Sequence, residues 1–277
     1  MLQELRLRIF TGILTAGMFL SMLWMGGVLF RLLAVMIGLS IYYEWMNITK
    51  SFFVNLVGKT LEIIVLLVMS CMFVFGAFKP AIIVFLLYFL IDLLISVLWN
   101  RKFWRSLGII YSVLLPVTMV YLRGDGFEGL FLMGFVLSVV WSTDVFAYFI
   151  GRYVGGPKIA PNISPGKTWA GSVGGAVCAI CAGVVILSCF FLDYFWATIV
   201  LSALISVSSQ LGDLLESFIK RYFCVKQSGW FLPGHGGVMD RVDGLIFACL
   251  VMATVAFLLD KNHGKQGLLL DRVLMIL

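Results

Sequence analysis

Apolar positions in this chain come in long unbroken runs, and the polar positions are gathered into short connections between them. One helical residue advances about 1.5 Å and the hydrocarbon core of a bilayer is about 30 Å thick, so about 20 mostly apolar residues make one crossing. Nine runs approach or reach that length, at 9–25, 28–46, 59–78, 80–99, 104–122, 129–151, 169–191, 194–218 and 242–259. Lipid offers no partner to an open backbone, so each crossing must be a helix or a strand of a closed barrel. Continuous runs of this length lack the alternation of a barrel strand. The pattern predicts an all-α, polytopic integral membrane protein with about nine transmembrane helices. No connection is long enough for a separate soluble domain. Residues 1–277 are therefore expected to form a single transmembrane domain, with N-terminal helices over 1–125 and catalytic helices and cytoplasmic loops over 126–260. Arg6 and Arg8 ahead of the first run give the N-terminus a likeness to a secretory leader. With no evident small-x-small cleavage site and eight runs following, it reads as an uncleaved first helix.

Composition sharpens this picture. The chain is 62% hydrophobic and 12% charged, with a mean hydropathy of +1.07, whereas about a quarter of residues in soluble domains are charged. Lys and Arg set the orientation. Fourteen of the twenty fall on one side of the nine runs, most densely in loops 152–168 and 219–241, which places those loops and the N-terminus in the cytoplasm. A basic tail with Lys261, Lys265 and Arg272 runs against the bias. The net charge of +6 is accounted for by cytoplasmic loops lying against anionic lipid. Membrane lipids, and no nucleic acid, are its expected partners. The six cysteines fall almost entirely inside apolar runs, and Cys178-x-x-Cys181 has no second pair to complete a metal motif. Small helix-packing residues are the better reading.

Against this background, acidic side chains inside the runs stand out, because a charge at mid-membrane costs roughly 2.5 to 3.5 kcal/mol. Asp144, Asp213, Glu216 and Asp243 lie within or at the ends of runs near the cytoplasmic face, and Asp240 adjoins them from a loop. Asp144 is seven residues from the end of its run, about 10 Å deep. A hydrogen bond to a Ser or Tyr of another helix is the plain alternative to a functional role there. Asp213 and Glu216 share a helical face, with Lys220 four residues beyond Glu216. A snorkelling ion pair would account for Glu216 better than for the deeper Asp213. Asp240 and Asp243 stand three apart where the last run begins, a spacing that also suits a helix cap. Three runs bringing carboxylates to one depth suggest a shared destination, and an oxygen-rich cluster of this kind suits Mg²⁺.

Cations accompany these acids: Lys167 in GRYVGGPKIAPNISPGKTWAG, then Lys220, Arg221, Lys226 and Arg241. Together with glycines that let backbone N–H groups approach a ligand, they describe a site for a metal-bound polyphosphate. Lys158 reads as an ordinary positive-inside residue. His235, in PGHGG, has three readings: phosphate contact, general acid or base, or loop-structuring residue. His263 is the only other histidine, which excludes a multi-histidine metal centre. Glu44 and Glu62 sit near cytoplasmic run ends without a basic or glycine-rich loop and read as interfacial, while Asp92, in the middle of the fourth run, reads as a packing or helix-pairing residue.

The stretch SFIKRYFCVKQSGWFLPGHGGVMDRVD, residues 217–243, resembles the signature of the phosphatidate cytidylyltransferase family, also called CDP-diacylglycerol synthases. The likeness holds over 27 residues with one departure, Gln227 where the family has Asp. SPGKTWAGSVGG, residues 164–175, is similar to a second family segment, with Ala170 in place of the usual acid, and STDVFAYFIGR and SQLGDLLES also look like family segments. The resemblance covers about residues 140–245. It implies that CTP and phosphatidic acid give CDP-diacylglycerol and pyrophosphate, with Mg²⁺ required as one or two ions, at a site facing the cytoplasm from a bacterial-type inner membrane. It implies that Asp213, Asp240 and Asp243 hold metal and that Asp144, Asp213, Lys220, Asp240 and Asp243 form the catalytic group. Ser164, Lys167, Ser217, Arg221, Lys226, His235, Gly236, Gly237 and Arg241 would contact substrate. A homodimer is one assembly compatible with it. Two other functions share some of these features. A CTP-dependent polyprenol or phytol kinase would release CDP in place of pyrophosphate, and an ion-coupled secondary transporter would favour inverted repeats with paired broken helices, which the sequence does not display.

Overall fold

The computed structural model describes residues 2–51, 56–98, 103–188, 195–231, 234 and 236–263. Among them nine helices follow one another: α1 (Leu2–Met25), α2 (Gly27–Thr49), α3 (Leu56–Val74), α4 (Phe78–Leu98), α5 (Trp104–Arg123), α6 (Phe127–Val154), α7 (Trp169–Ser188), α8 (Phe195–Tyr222) and α9 (Met239–His263). Seven of them, α2 and α4 to α9, are long and apolar enough to cross a membrane, and α1 and α3 contain the shorter apolar stretches Phe10–Met25 and Thr60–Val74. The architecture is that of an all-α polytopic integral membrane protein, and each predicted run has its helix. Several helices overrun their apolar stretch: α6 begins at Phe127 and ends at Val154, and α9 starts at Met239, ahead of the expected 242. Hydropathy follows the thickness of the apolar layer, whereas a helix continues wherever its backbone bonds do.

A departure from the expected all-helical chain lies between α6 and α7. Strands β1 (Lys158–Ala160) and β2 (Ser164–Thr168) pair antiparallel, with Lys158 opposite Thr168 and Ala160 opposite Ser164. The turn is closed by Ile163 N–H donating to the Ala160 carbonyl (3.1 Å), and the exit by Trp169 N–H donating to the Pro157 carbonyl (3.1 Å). Strands this short, built from Pro, Gly, Ser and Lys, carry no alternation of apolar and polar positions to give them away.

The chain divides into two compact units. The first joins residues Met1–Val120 to Gln227–Met239. Its interior is filled by Phe30, Leu33, Ile41, Trp45 and Met46 of α2 with Ile109, Leu115 and Met119 of α5, all buried. Pro116 interrupts α5. Lacking an N–H, it leaves the Ser112 carbonyl without its helical donor, and that carbonyl faces Gly38, where a Cβ would stand 3.0 Å away and 2.5 Å from Pro116 Cγ. Only a glycine lets α2 approach that closely. Trp45 covers Gly108, and its Nε1–H donates to the Trp104 carbonyl (2.7 Å).

A buried charged network ties four helices of this unit. Arg105 of α5 reaches Asp92 of α4 through Nε (2.8 Å) and Glu62 of α3 through Nη2 (3.4 Å). Its Nη2 also donates to Tyr88 Oη (2.9 Å), Ser106 Oγ donates to Asp92 (2.6 Å), and Tyr42 of α2 donates to Glu62. Asp92 is thus a helix-pairing residue, as expected. Glu62 is not interfacial: it is 4% exposed and held by Arg105 and Tyr42. Its partners lie on other helices, out of view of local sequence.

The second unit joins residues Tyr121–Lys226 to Asp240–Leu277. Small residues bring its helices together, as expected where the apolar solvent gives helices no hydrophobic reason to associate. A Cβ on Gly171 of α7 would meet the Ala147 carbonyl of α6 at 2.6 Å, and one on Gly175 the Thr143 carbonyl at 2.7 Å. Polar side chains lock the seams: Thr143 Oγ1 donates to Ser206 Oγ between α6 and α8 (2.9 Å), and Ser172 of α7 donates to Gln210 of α8. Gly212 of α8 packs on the Asp243 carbonyl of α9. Among the cysteines, the packing reading holds for the buried Cys249, while Cys71, Cys181 and Cys224 are exposed free thiols and Cys178 is half-buried. Cys189 lies outside the described residues.

Candidate functional site

In the second unit, three helices and the hairpin bring acids and lysines together. α8 contributes Asp213, Glu216, Ser217 and Lys220 on one face, at the three- and four-residue spacings that align side chains along a helix. Lys220 Nζ lies 3.1 Å from Glu216 Oε1 and 2.5 Å from Asp240 Oδ1, so one ammonium bridges α8 to the first turn of α9. Glu216 is fully buried, and its carboxyl interacts with that of Asp243 as well as with Lys220. Asp243 Oδ1 accepts the Gly244 N–H (2.7 Å). In the sequence Glu216 stands among the acids near the cytoplasmic face, with an ion pair to Lys220 as its plain alternative; the structure makes that ion pair and buries the carboxylate fully.

A second ion pair is more open. Lys167, at the end of β2, places Nζ 2.5 Å from Asp213 Oδ2, with the two side chains 25% and 32% exposed, against 12% and 11% for Lys220 and Asp240. Ser217 Oγ donates to Asp213 Oδ1 (3.3 Å). Asp144, on α6, lies within electrostatic reach of Asp243, Asp213 and Lys167. Its side chain is exposed, and the hydrogen bond to a Ser or Tyr of a neighbouring helix considered for it is not made among the described residues.

The end of α8 is shaped to present its cations. Cys224 adopts a left-handed conformation (φ 58°), Val225 N–H donates to the Lys220 carbonyl (2.9 Å) and Cys224 N–H to the Arg221 carbonyl (3.0 Å). This two-bond cap ends the helix just after two cations that favour its C-terminal dipole. Arg221 extends from it, donating through Nε to the Ile163 carbonyl in the hairpin turn (3.3 Å) and through Nη1 to the Val225 carbonyl (3.3 Å). Lys226 and Arg241 are exposed, and Ser164 is half-buried on β2. Of the positions where the sequence departs from the expected signature, Ala170 is half-buried and Gln227 exposed.

The glycine-rich part of the signature belongs to the first unit. Gly236 has a φ of +86°, a backbone that L side chains rarely adopt. Gly237 is buried, and a Cβ there would collide with Ser228 Oγ and stand 2.5 Å from Glu44 Oε2. His235 lies outside the described residues. Glu44 corrects an expectation: it is 1% exposed, not interfacial, and accepts hydrogen bonds from Ser228 Oγ (2.7 Å), Val238 N–H (2.8 Å) and Met239 N–H (2.8 Å). Its sequence neighbours gave no signal, because all three donors come from a segment near the other end of the chain.

Chemically, the second unit offers hard oxygen donors from three helices beside two lysines. The carboxylates of Asp213, Asp240 and Asp243, with Asp144 beside them, are hard oxygen donors of the kind that suit a small divalent cation such as Mg²⁺. Among the described residues no three such groups are already drawn into a ready-made metal cage. The lysine ammonium groups of Lys167 and Lys220 lie against Asp213 and Asp240 instead.

The model of the cytidylyltransferase family matches residues 6–259. The phosphatidate cytidylyltransferase of Brucella abortus is 39% identical over 254 residues, covering 91% of this chain and 93% of the relative. Those of Bacillus subtilis (32% over 268 residues, 92% and 98% covered) and Staphylococcus haemolyticus (31% over 250 residues, 88% and 95%) are similar over nearly their full length as well.

Proposed function

The chain belongs to the cytidylyltransferase family, and from that premise we propose that it is an integral membrane CTP:phosphatidate cytidylyltransferase, forming CDP-diacylglycerol and pyrophosphate for phospholipid synthesis. The observation that carries the reading is the pair of lysine-to-aspartate contacts, Lys167 on Asp213 and Lys220 on Asp240, set among further carboxylates at one place in the second unit. Cations and anions in such alternation suit a metal-chelated triphosphate: phosphate oxygens would draw the lysine of the more open pair, and the aspartates would hold the cation.

In the reaction, an oxygen of the phosphatidate phosphate attacks the α-phosphorus of CTP. The bond from that phosphorus to the bridging oxygen breaks, and pyrophosphate leaves with the electron pair. A phosphate monoester has its second pKa at about 6, so the nucleophile is already largely dianionic and needs little general-base help. The harder task is to bring two anions together in line. Lys167, in the more open ion pair, is the cation that exchanges its aspartate for phosphate; Lys220, shared between Glu216 and Asp240, holds α8 and α9 at fixed separation. Arg221, Lys226 and Arg241, exposed around them, offer further charge to the polyphosphate. Asp213, Asp240 and Asp243 would hold Mg²⁺, with Asp144 beside them. Bound there, the ion would offset charge on the triphosphate and on departing pyrophosphate. Support for a site on the cytoplasmic face of a bacterial inner membrane comes from the basic loops 152–168 and 219–241, and CTP is a cytosolic nucleotide.

The test is purified protein in detergent micelles with phosphatidate, CTP labelled in the cytosine ring and Mg²⁺. Labelled lipid with release of pyrophosphate is expected, and a chelator should abolish it. Release of CDP with unlabelled lipid phosphate would identify a kinase and overturn the reading. Asp240→Asn keeps the shape but removes the charge beside Lys220, and is expected to lower kcat at least about 100-fold while leaving membrane insertion intact.

A further inference from the structure

We infer that Glu44, in the N-terminal half of the chain, is a positioning residue for the signature loop. It acts by clamping both ends of the segment Gln227–Met239. The inference rests on the cytidylyltransferase reading. One carboxylate accepts three donors: Ser228 Oγ, at the start of the segment, and Val238 N–H and Met239 N–H, at its end. Oε2 takes Ser228 and Met239, and Oε1 takes Val238. Residues 228 and 238 are thereby drawn to one point, so the two ends of the segment meet on a side chain of α2.

The local backbone is built around that carboxylate. A Cβ on Gly229 would stand 2.6 Å from Glu44 Oε1, and one on Gly237 would stand 2.5 Å from Oε2. Two of the loop's glycines are therefore explained by the acid they enclose, beyond any role in admitting a ligand. Glu44 is 1% exposed and Ser228 5%, so water does not compete for these bonds. Hydrogen bonds to a charged acceptor are about twice as strong as neutral ones, and two adjacent amide donors fix direction as well as distance. The chain then runs from Met239 straight into Asp240, Arg241 and Asp243. Glu44 packs against Gly237, one of the glycines expected to contact substrate, and it acts on Asp240, Arg241 and Asp243 through the segment that precedes them.

Glu44→Gln is the decisive variant. It keeps the size of the side chain but turns one acceptor oxygen into an NH₂ that faces an N–H or O–H donor. Three measurements on the full chain in detergent decide the matter. Amide exchange at Val238 and Met239 is expected to accelerate by about tenfold or more, the loss of one charge-assisted bond. The KM for CTP is expected to rise several-fold while the KM for phosphatidate stays within twofold, on the order of experimental scatter. The unfolding temperature reports the folded fraction. A merely structural defect lowers the amount of active enzyme and leaves the KM for CTP unchanged. Unchanged exchange, or faster exchange with an unchanged KM for CTP, would overturn the proposal. Should Glu44→Gln fail to fold, Ser228→Ala removes one donor only, and the same shifts in smaller measure are expected. Wild-type protein that makes no CDP-diacylglycerol would sink the transferase reading and leave the exchange result to decide whether Glu44 holds the segment.

Discussion

Residue by residue, the acids inside the apolar runs separate into those fully matched and those left available. Asp92 and Glu62 share Arg105, with Ser106, Tyr42 and Tyr88 completing the set. Arg105→Ala would strand two buried carboxylates, and removing one partner of a buried ion pair typically costs about 3–5 kcal/mol. A fall of several degrees in the unfolding temperature in detergent is expected, with the KM for CTP unaltered in the folded fraction. Lys167→Ala should behave in the opposite way, because its pair with Asp213 is partly open: little change in stability, but a marked rise in the KM for CTP. Asp144, Asp213, Lys220, Asp240 and Asp243 could be singled out from sequence because a charge in an apolar run is costly and because the signature 217–243 is dense with them. Glu44 and Glu62 could not, since their partners lie on other helices or near the far end of the chain.

Among the elements, hydropathy located the helices because it sums over a whole crossing, and it misjudged their ends for the same reason. It could not register the hairpin of β1 and β2, whose stability comes from pairing Lys158 with Thr168 and from its junctions, and not from an apolar face. That hairpin carries Ser164 and Lys167 and receives Arg221 at its turn. The seam of α6 with α7 is equally silent in a hydropathy plot, because Gly171 and Gly175 count as little more than neutral there. Substituting Gly175 by Leu would drive a side chain into the Thr143 carbonyl, 2.7 Å from the new Cβ. Backbone cannot retreat as a side chain tip can, so α6 and α7 must separate. Loss of the folded, monodisperse protein in size-exclusion chromatography is the expected outcome, whereas Gly17→Leu, where a Cβ meets nothing within 4 Å, should be tolerated.

At the scale of the whole molecule, the basic loops predict which face meets the cytoplasm. Cys224 is an exposed thiol in the connection between α8 and α9, which makes it a natural reporter. In a variant retaining only this cysteine, a membrane-impermeant maleimide is expected to react in inside-out vesicles and not in intact spheroplasts; the reverse pattern would invert the topology. The clamp on Glu44 also bears on how the protein comes into being. Its donors lie 184 to 195 residues downstream, so α2 enters the bilayer long before the ribosome has made them. Until the final stretch is translated, a carboxyl in an apolar helix lacks the bonds that will later satisfy it, at a cost of a few kcal/mol. A chain that stops short of Ser228 therefore keeps a carboxyl in an apolar helix without any of these three bonds.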